Sequence, residues 1–170
     1  SIRKHSKGQM INFTVVDYGS SPLYRDALAS ACANADIHLI RTETEGQPWS
    51  RAIAMNIGIS SATTDVFLST DIDMIFEFDV VSELNSRLSK NTKVHCRPYW
   101  LPSSGDLRQA TLSNFAQLGG FMAMYVEDFM RIGGFCERID FWGFEDTEFH
   151  GRALRHGCTA VWMPEEIMMY

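Results

Sequence analysis

Short apolar runs rich in β-branched residues alternate along the chain with segments whose apolar residues recur at helical spacing. Runs of the first kind predict strands, and segments of the second kind predict amphipathic helices. The predicted strands cover residues 11–17, 37–41, 65–70, 93–98, 120–126 and 159–164. The predicted helices cover residues 23–34, a stretch with Pro48 in its first turn, and residues 79–90, 127–135 and 145–156. This alternation predicts an α/β fold, with a mostly parallel central sheet flanked by helices.

The bulk properties of the chain predict one globular domain over residues 1–170. A length of 170 residues suits one hydrophobic core, and 45% of the residues are hydrophobic. A formal net charge of −6 argues against a nucleic-acid partner. No apolar run approaches the roughly 20 residues that span a bilayer, so we expect no membrane segment in this chain. Four cysteines without a C-x-x-C pair predict free thiols in a reducing compartment, which we take to be the cytoplasm.

Two aspartates, Asp71 and Asp73, directly follow the predicted strand at 65–70. Ligands bind at the carboxyl ends of strands in open α/β sheets, and side chains two residues apart in an extended segment point the same way. Two carboxylates that face one spot repel each other unless a cation lies between them. Hard divalent ions take carboxylate oxygens and often share them with substrate phosphates. The pair therefore indicates either a metal site or an ordinary acidic turn.

A second cluster of chemically active residues lies at 133–157, where glycines and aromatic residues precede Glu145 and Asp146. Acidic residues in the first turn of a helix can simply complement the helix dipole. That explanation leaves the preceding aromatic run, F-W-G-F at 141–144, without a reason. Aromatic faces beside carboxylates are suited to holding a sugar, because the ring packs on C–H groups while the acids take hydroxyls.

Three segments in order resemble the GT-A glycosyltransferases, in particular the family-2-like enzymes and the C-terminal module of galactosyltransferases and N-acetylgalactosaminyltransferases. They are VVDYGS at 15–20, RAIAMNIGISSATTDVFLSTDID at 51–73, and GGFCERIDFWGFEDTEFHGRAL at 133–154. The resemblance covers roughly residues 11–165. It implies a GT-A fold and a metal-dependent enzyme that moves a sugar from a nucleotide sugar, a UDP-sugar above all, to a carbohydrate hydroxyl. Mn²⁺, or Mg²⁺ in its place, is the cofactor that the resemblance implies.

The resemblance also implies roles for individual residues. On the donor side, Asp17 matches the acid near the base or ribose, and Arg51 and Asn56 match positions that line the donor pocket. Asp71 and Asp73 match the D-x-D motif, in which the second aspartate contacts the metal and the first contacts the ribose or the metal.

On the acceptor side, Trp142 and Gly143 match the wall of the acceptor site. Glu145 and Asp146 match the E-D pair. In that pair Asp146 is implied to be the general base of an inverting transfer, and Glu145 is implied to hold an acceptor hydroxyl.

Two departures from the family pattern concern the ends of the sequence. Only ten residues precede the strand at 11–17, where family members have an earlier βα unit. The sequence stops at Tyr170, where many members go on to supply a metal-ligand histidine. We therefore expect an N-terminally incomplete domain that is a poor enzyme on its own, with His150 and His156 as weak substitutes for the missing ligand.

Two other functional classes remain open. A sugar-nucleotide nucleotidyltransferase also uses an α/β sheet and a metal, although its Gly-rich phosphate loop is not seen near the first strand. A non-catalytic domain that binds nucleotide sugars or glycans is the other alternative. The non-catalytic class is disfavoured because the sequence retains both the D-x-D pair and the E-D pair.

Overall fold

The computed structural model describes residues 2–6, 8–44, 46–114, 118–139, 143–166 and 169–170. The strands of this part of the chain are β1 (Thr14–Tyr18), β2 (His38–Thr42), β3 (Val66–Thr70), β4 (Thr92–His95), β5 (Tyr99–Trp100), β6 (Thr111–Leu112), β7 (Phe121–Tyr125) and β8 (Thr159–Trp162). Its α-helices are α1 (Ile2–His5), α2 (Pro22–Asn34), α3 (Arg51–Ser60), α4 (Val80–Arg87), α5 (Val126–Ile132) and α6 (Glu145–Arg155). The predicted α/β fold class is confirmed.

The strands form one central sheet and two smaller pairs. The central sheet has the order β3-β7-β4-β8, while β1 and β2 pair with each other in parallel. The second pair, β5 with β6, is an antiparallel hairpin within residues 99–112, a stretch whose sequence shows no clear period.

The prediction of a mostly parallel sheet is wrong for the four-stranded part. Strand β7 runs antiparallel to both of its neighbours, β3 and β4, while β4 and β8 are parallel. The physical reason is the connection: β7 returns from the β5–β6 hairpin that follows β4, and the described part of this connection contains no α-helix that would carry the chain back to the starting edge. Strands β3, β4 and β8 consequently share one direction, and their carboxyl ends meet at the edge where β7 begins.

Helix α3 begins later than the sequence suggests. Pro48 was expected in its first turn, but the helix starts at Arg51, and Ser50 is the N-cap. The Ser50 hydroxyl accepts a hydrogen bond from the Ile53 N–H, which satisfies one of the free donors at the helix start. This later start places Arg51 at the first helical position, directly above the sheet edge.

Strand β7 separates two hydrophobic clusters because its side chains alternate between the two faces of the sheet. Met122 and Met124 pack with residues of α3, α5 and α6 on one face. Phe121 and Ala123 pack with residues of α4 and β4 on the other. Burial on both faces fixes the sheet between its helices, so the strand ends form a rigid platform.

Candidate active site

The D-x-D segment follows β3 as a turn. Asp71 is bonded through its N–H to the Gly120 carbonyl at 3.4 Å, and the Met74 N–H donates to the Asp71 carbonyl at 3.4 Å. Ile72 is 86% exposed, and Asp73 is also exposed. Asp71 and Asp73 were predicted to point the same way because they would lie two residues apart in an extended segment. The turn replaces that extended segment, so this part of the prediction does not apply. Asp71 and Asp73 still lie together at the edge of the sheet where three strands end.

Arg51 connects the two acidic motifs. Its Nη2 donates to Asp71 Oδ1 at 3.2 Å and to the Gly119 carbonyl at 2.8 Å. Its Nη1 donates to Glu145 Oε1 at 3.2 Å. We call this set of four residues the Arg51 bridge. It joins the starts of α3 and α6 to the end of β3 and the start of β7, although Arg51 and Glu145 are 94 positions apart.

Gly119 leaves room for this arrangement. A Cβ atom at this position would lie 3.1 Å from Asp146 Oδ2 and 3.2 Å from Arg51 Nη1. The Asp146 carboxylate therefore lies beside the Arg51 bridge. Its other oxygen, Oδ1, accepts a hydrogen bond from the Thr147 N–H at 2.7 Å. The structure thus brings together the two acids of the E-D pair and the first acid of the D-x-D motif.

Glu145 carries an unused acceptor at this place. The residue is 3% exposed, and its Oε2 has no hydrogen-bond partner in the described part of the chain. A buried carboxylate oxygen without a donor is unfavourable, so a donor from a bound molecule would stabilise it. A hydroxyl group has the right chemistry, because it donates one hydrogen bond and needs no neutralising charge.

A cleft of about 510 Å³ lies beside the D-x-D segment. Ile72 lines it from one side and Asp17 from the other. The remaining lining residues come from β1 and the turn after it, from α2 and α3, and from the segment before α3: Val15, Val16, Tyr18, Gly19, Ser20, Leu28, Trp49 and Ala54. Both aromatic and polar groups are therefore available to a ligand that reaches the acids.

The Asp17 carboxylate is engaged within the protein. It accepts hydrogen bonds from the Ser20 N–H at 3.0 Å and from Arg41 Nε at 2.8 Å. Burial alone would raise the pKa of Asp17, but the bonds from Ser20 and Arg41 outweigh it and hold the pKa below its ordinary value. Asp17 is therefore charged at neutral pH and shapes the turn after β1.

Asn56 lies on α3 but has partners elsewhere. Its amide nitrogen donates to the Phe135 carbonyl and to Glu137, each at 2.9 Å, and its amide oxygen accepts from the Phe135 N–H at 2.8 Å. These bonds tie α3 to the segment after α5. Asn56 is not among the described residues that line the cleft.

On the acceptor side, Trp142 lies outside the described residues, so its predicted role remains a prediction. Gly143 is described and has φ +101°, a left-handed conformation that favours glycine. Phe144 follows with φ +69° and is 80% exposed. This turn leads directly into Glu145, the first residue of α6.

A buried polar cluster under α6 was not recognised from the sequence. Lys93 and His95 point to the same face of β4, towards α6, and the His95 and His150 rings lie 5.6 Å apart. Lys93 Nζ, His95 Nε2 and His150 Nδ1 have no hydrogen-bond partners in the described part of the chain. The signal was present in K-V-H at 93–95, since residues i and i+2 of a strand share a face.

Burial controls the charges of this cluster. It lowers the pKa of Lys93 to about 7, and the charge of the nearby Asp146 carboxylate offsets only part of that effect. It also lowers the pKa of His95 to about 3, helped by the nearby charges of Lys93 and His150. Burial is likewise the main reason why the pKa of His150 is below its ordinary value.

The Asp71 and Asp73 carboxylates at the edge of the sheet partly fit the needs of a hard divalent cation. Carboxylate oxygens are the ligands that Mn²⁺ and Mg²⁺ accept, and Asp73 is exposed. Within the described ranges, no group of three or more His, Cys, Asp or Glu side chains is arranged to hold a metal. His150, on α6, has its ring beside that of His95. Among the described residues, Asp71 and Asp73 are the carboxylates at the end of β3 that could contribute oxygen ligands to such an ion.

None of the described helices combines the length and apolarity needed to cross a bilayer. None of the four cysteines, all of which the structure describes, forms a disulfide, and Cys32, Cys96 and Cys158 are buried.

A family model described as the N-terminal domain of galactosyltransferase matches residues 110–170. No curated protein matches the chain. Among solved structures, the catalytic domain of Drosophila beta1,4galactosyltransferase 7 in complex with xylobiose is similar, with a TM-score of 0.53 and 18% identity over 89% of this chain and 65% of that one. GalNAc-T7 with UDP, GalNAc and Mn²⁺ has a TM-score of 0.67 and 14% identity, over 93% of this chain and 36% of that one.

The mannosyltransferase PcManGT from Pyrobaculum calidifontis, in complex with GDP-Man and Mn²⁺, is also similar. Its TM-score is 0.64 and its identity 19%, over 93% of this chain and 46% of that one. The chain thus spans less than two thirds of the length of each of these three structures. These findings confirm the predicted resemblance: the chain has the GT-A fold of the glycosyltransferases and carries a galactosyltransferase-type segment at 110–170.

Proposed function

We propose that this chain takes part in metal-dependent transfer of a sugar from a nucleotide sugar, preferably a UDP-sugar, to a carbohydrate hydroxyl. The observation that carries the proposal is the Arg51 bridge, which joins the D-x-D turn to the E-D pair and includes a buried acceptor, Glu145 Oε2, with no donor among the described residues. The solved structures with the same fold include complexes with UDP-Gal and manganese, with UDP and Mn²⁺, and with GDP-Man and Mn²⁺.

On the donor side, Asp71 and Asp73 would hold Mn²⁺ or Mg²⁺. The ion, when bound, neutralises the diphosphate and so makes it a better leaving group. Asp17 would shape the nucleoside end of the cleft. Arg51 stays a proposed donor-pocket residue, acting by fixing the position of Asp71. Asn56 was expected in the same pocket; its bonds to Phe135 favour a supporting role for it instead.

On the acceptor side, Glu145 would bind a hydroxyl of the acceptor through Oε2, next to Gly143 and the predicted wall residue Trp142. Asp146 would act as the general base. A sugar hydroxyl has a pKa far above 7, so it must lose its proton as the new bond to the anomeric carbon forms. With the base opposite the leaving diphosphate, a single displacement inverts the stereochemistry at that carbon.

A binding experiment tests the donor half of this proposal. Calorimetry should show that UDP binds more tightly with Mn²⁺ than with EDTA, and that Asp73→Ala removes the difference. Asp26→Ala is a matched control, since that acid is exposed on α2 and does not line the cleft. Equal UDP affinity with Mn²⁺ and with EDTA would contradict the proposal.

A turnover experiment tests the acceptor half. Asp146→Asn keeps the shape of the side chain but removes the base, so we expect kcat to fall by about 10²–10⁴-fold while UDP affinity stays the same. A near-normal kcat, or a product that retains the anomeric configuration, would refute the assignment.

The alternatives predict other outcomes. A non-catalytic glycan- or nucleotide-sugar-binding domain would bind UDP and show no turnover with any nucleotide sugar. A nucleotidyltransferase would release pyrophosphate from a nucleoside triphosphate and a sugar phosphate. The cytoplasmic location is likewise proposed, because none of the four cysteines forms a disulfide.

A further inference from the structure

A second cleft, of about 450 Å³, lies where β4 and β8 end. Trp162 is the last residue of β8, and Arg97 comes two residues after β4. Because these strands share the direction of β3, the cleft opens at the same edge of the sheet as the D-x-D turn. Its lining residues are Arg97, Asn114, Trp162, Met163 and Glu165, and we call it the Trp162 groove.

Trp162 is an aromatic platform in this groove. Its ring stacks on the His95 ring with centroids 4.9 Å apart and an angle of 26° between the planes. His95 is fully buried, whereas Trp162 keeps 36% of its surface exposed. A large ring that is supported from below and open to solvent offers apolar area at little entropic cost, and the C–H face of a pyranose can pack on it.

The polar groups of the groove are held in place. Arg97 Nη1 donates to Glu165 Oε1 at 2.7 Å, and Arg97 Nη2 donates to the Ser113 carbonyl at 2.6 Å. The Tyr99 hydroxyl donates to the Glu165 carbonyl at 2.8 Å. The guanidinium and the carboxylate neutralise each other, so an anionic ligand would gain little from Arg97. Fixed, neutral pairs of donors and acceptors match the hydroxyl groups of an uncharged sugar.

The groove is separate from the proposed base. Two ring contacts of 4.9 and 5.6 Å lead from Trp162 through His95 to His150. His150 in turn lies about one helical turn from Asp146 on α6. Asp146 is not among the residues that line the groove, so a sugar unit held there need not be the one whose hydroxyl reacts.

We propose that the Trp162 groove is a binding subsite for a neutral pyranoside unit of the acceptor, remote from the hydroxyl that reacts. This inference rests on the proposed function, because it assumes a carbohydrate acceptor. It adds a site for a second sugar unit and predicts that oligosaccharide acceptors bind more tightly than monosaccharides.

The test is direct binding of a panel of methyl glycosides and their disaccharides, measured by saturation-transfer NMR and by tryptophan fluorescence. The panel contains neutral hexosides, N-acetylhexosaminides and, for comparison, a uronate. We expect at least one neutral glycoside to bind the unmodified chain and Trp162→Ala to weaken it about tenfold, a loss of about 1.4 kcal/mol. Trp162→Phe, which keeps a ring, should restore part of the affinity.

Trp100→Ala is the matched control, because Trp100 is 57% exposed on the β5–β6 hairpin and does not line the groove. It should leave glycoside binding within about twofold of the unmodified chain, well below the tenfold step that 1.4 kcal/mol represents. Both alanine variants should keep the Mn²⁺-dependent binding of UDP, which reports a folded donor site.

Three results would overturn the inference: no neutral glycoside binds, Trp162→Ala binds as well as the unmodified chain, or the uronate binds best. If any of these occurs while UDP still binds with Mn²⁺, only the Trp162 groove is rejected. Failure of the proposed function has a different signature, namely loss of metal-dependent UDP binding in the unmodified chain.

Discussion

Lys93 should make the protein more stable as the pH rises from 7 to 9. The residue is 1% exposed, its Nζ lies 5.3 Å from the centroid of the Phe149 ring, and this nitrogen has no hydrogen-bond partner in the described part of the chain. Burial disfavours the charged form and lowers the pKa of Lys93 from its ordinary 10.5 to about 7. The perturbation that tests this is Lys93→Met, which keeps the length of the side chain and removes the charge.

The direction follows from proton binding in the two states. Between pH 7 and pH 10.5 the unfolded chain keeps the Lys93 proton and the folded chain has released it. The unfolded state therefore binds more protons, and the free energy of unfolding rises with pH. Each pKa unit corresponds to about 1.4 kcal/mol, so this group contributes a rise of about 2–3 kcal/mol from pH 7 to pH 9.

Other groups limit the useful pH window. His95 and His150 have lowered pKa values, so their effects lie below pH 6.5. Burial raises the pKa of Cys96 to about 12 and also raises that of Tyr170, and both acids oppose the rise at high pH. The interval from pH 7 to pH 9 therefore isolates Lys93 best.

The assay is urea unfolding followed by circular dichroism at pH 7, 8 and 9. We expect the free energy of unfolding of the unmodified chain to rise across this interval and that of Lys93→Met to stay nearly level. The variant should also be the more stable of the two at pH 7. Lys4→Met is the control, because Lys4 is exposed and its loss should not alter the slope. If Lys93→Met and the unmodified chain show the same slope, Lys93 keeps its proton in the folded state and the burial argument fails.

Three further substitutions test individual contacts by chemical denaturation. Asn56→Ala should lower the free energy of unfolding by about 2–3 kcal/mol, because it removes the partners of both the N–H and the carbonyl of Phe135. A change below about 0.5 kcal/mol, which is usual for a neutral surface position, would contradict this. Gly134→Ala should cost at least about 1–2 kcal/mol, since φ is +65° and the new Cβ would lie 2.8 Å from Asn56 Oδ1, and an unchanged midpoint would show that the turn can relax. Arg51→Met should lower the free energy of unfolding by about 3–5 kcal/mol because it leaves the buried Glu145 carboxylate unpaired. Adding Glu145→Gln should recover part of this loss. No recovery in the double variant would assign the loss to another contact of Arg51.

The sequence alone predicted most of the local structure. The strand expected at 65–70 is found at Val66–Thr70, the helix expected at 23–34 at Pro22–Asn34, and the helix expected at 145–156 at Glu145–Arg155. These predictions succeed because hydrophobic periodicity is a local property, written in residues a few positions apart. The order of the motifs was also visible in the sequence, and it was sufficient to indicate the GT-A fold.

The tertiary structure decided what lies between distant segments. Strand β7 enters between β3 and β4 and reverses the direction expected from a parallel sheet, because the return from the β5–β6 hairpin sets its direction. Asn56 and Phe135 bond across 79 positions, so a residue expected in the donor pocket stabilises a turn instead.

The candidate site also combines positions that the local sequence predicts with contacts that only the folded chain creates. The sequence by itself determined which acids stand at the end of β3 and at the start of α6, since both positions follow from local periodicity. That Arg51 bonds to Asp71 and Glu145 at once, and that Lys93 is buried without a partner among the described residues, depends on how β3, β4 and the two helices pack. Such contacts join residues up to 94 positions apart, and no local pattern encodes them; only close packing of the assembled core decides which charges meet.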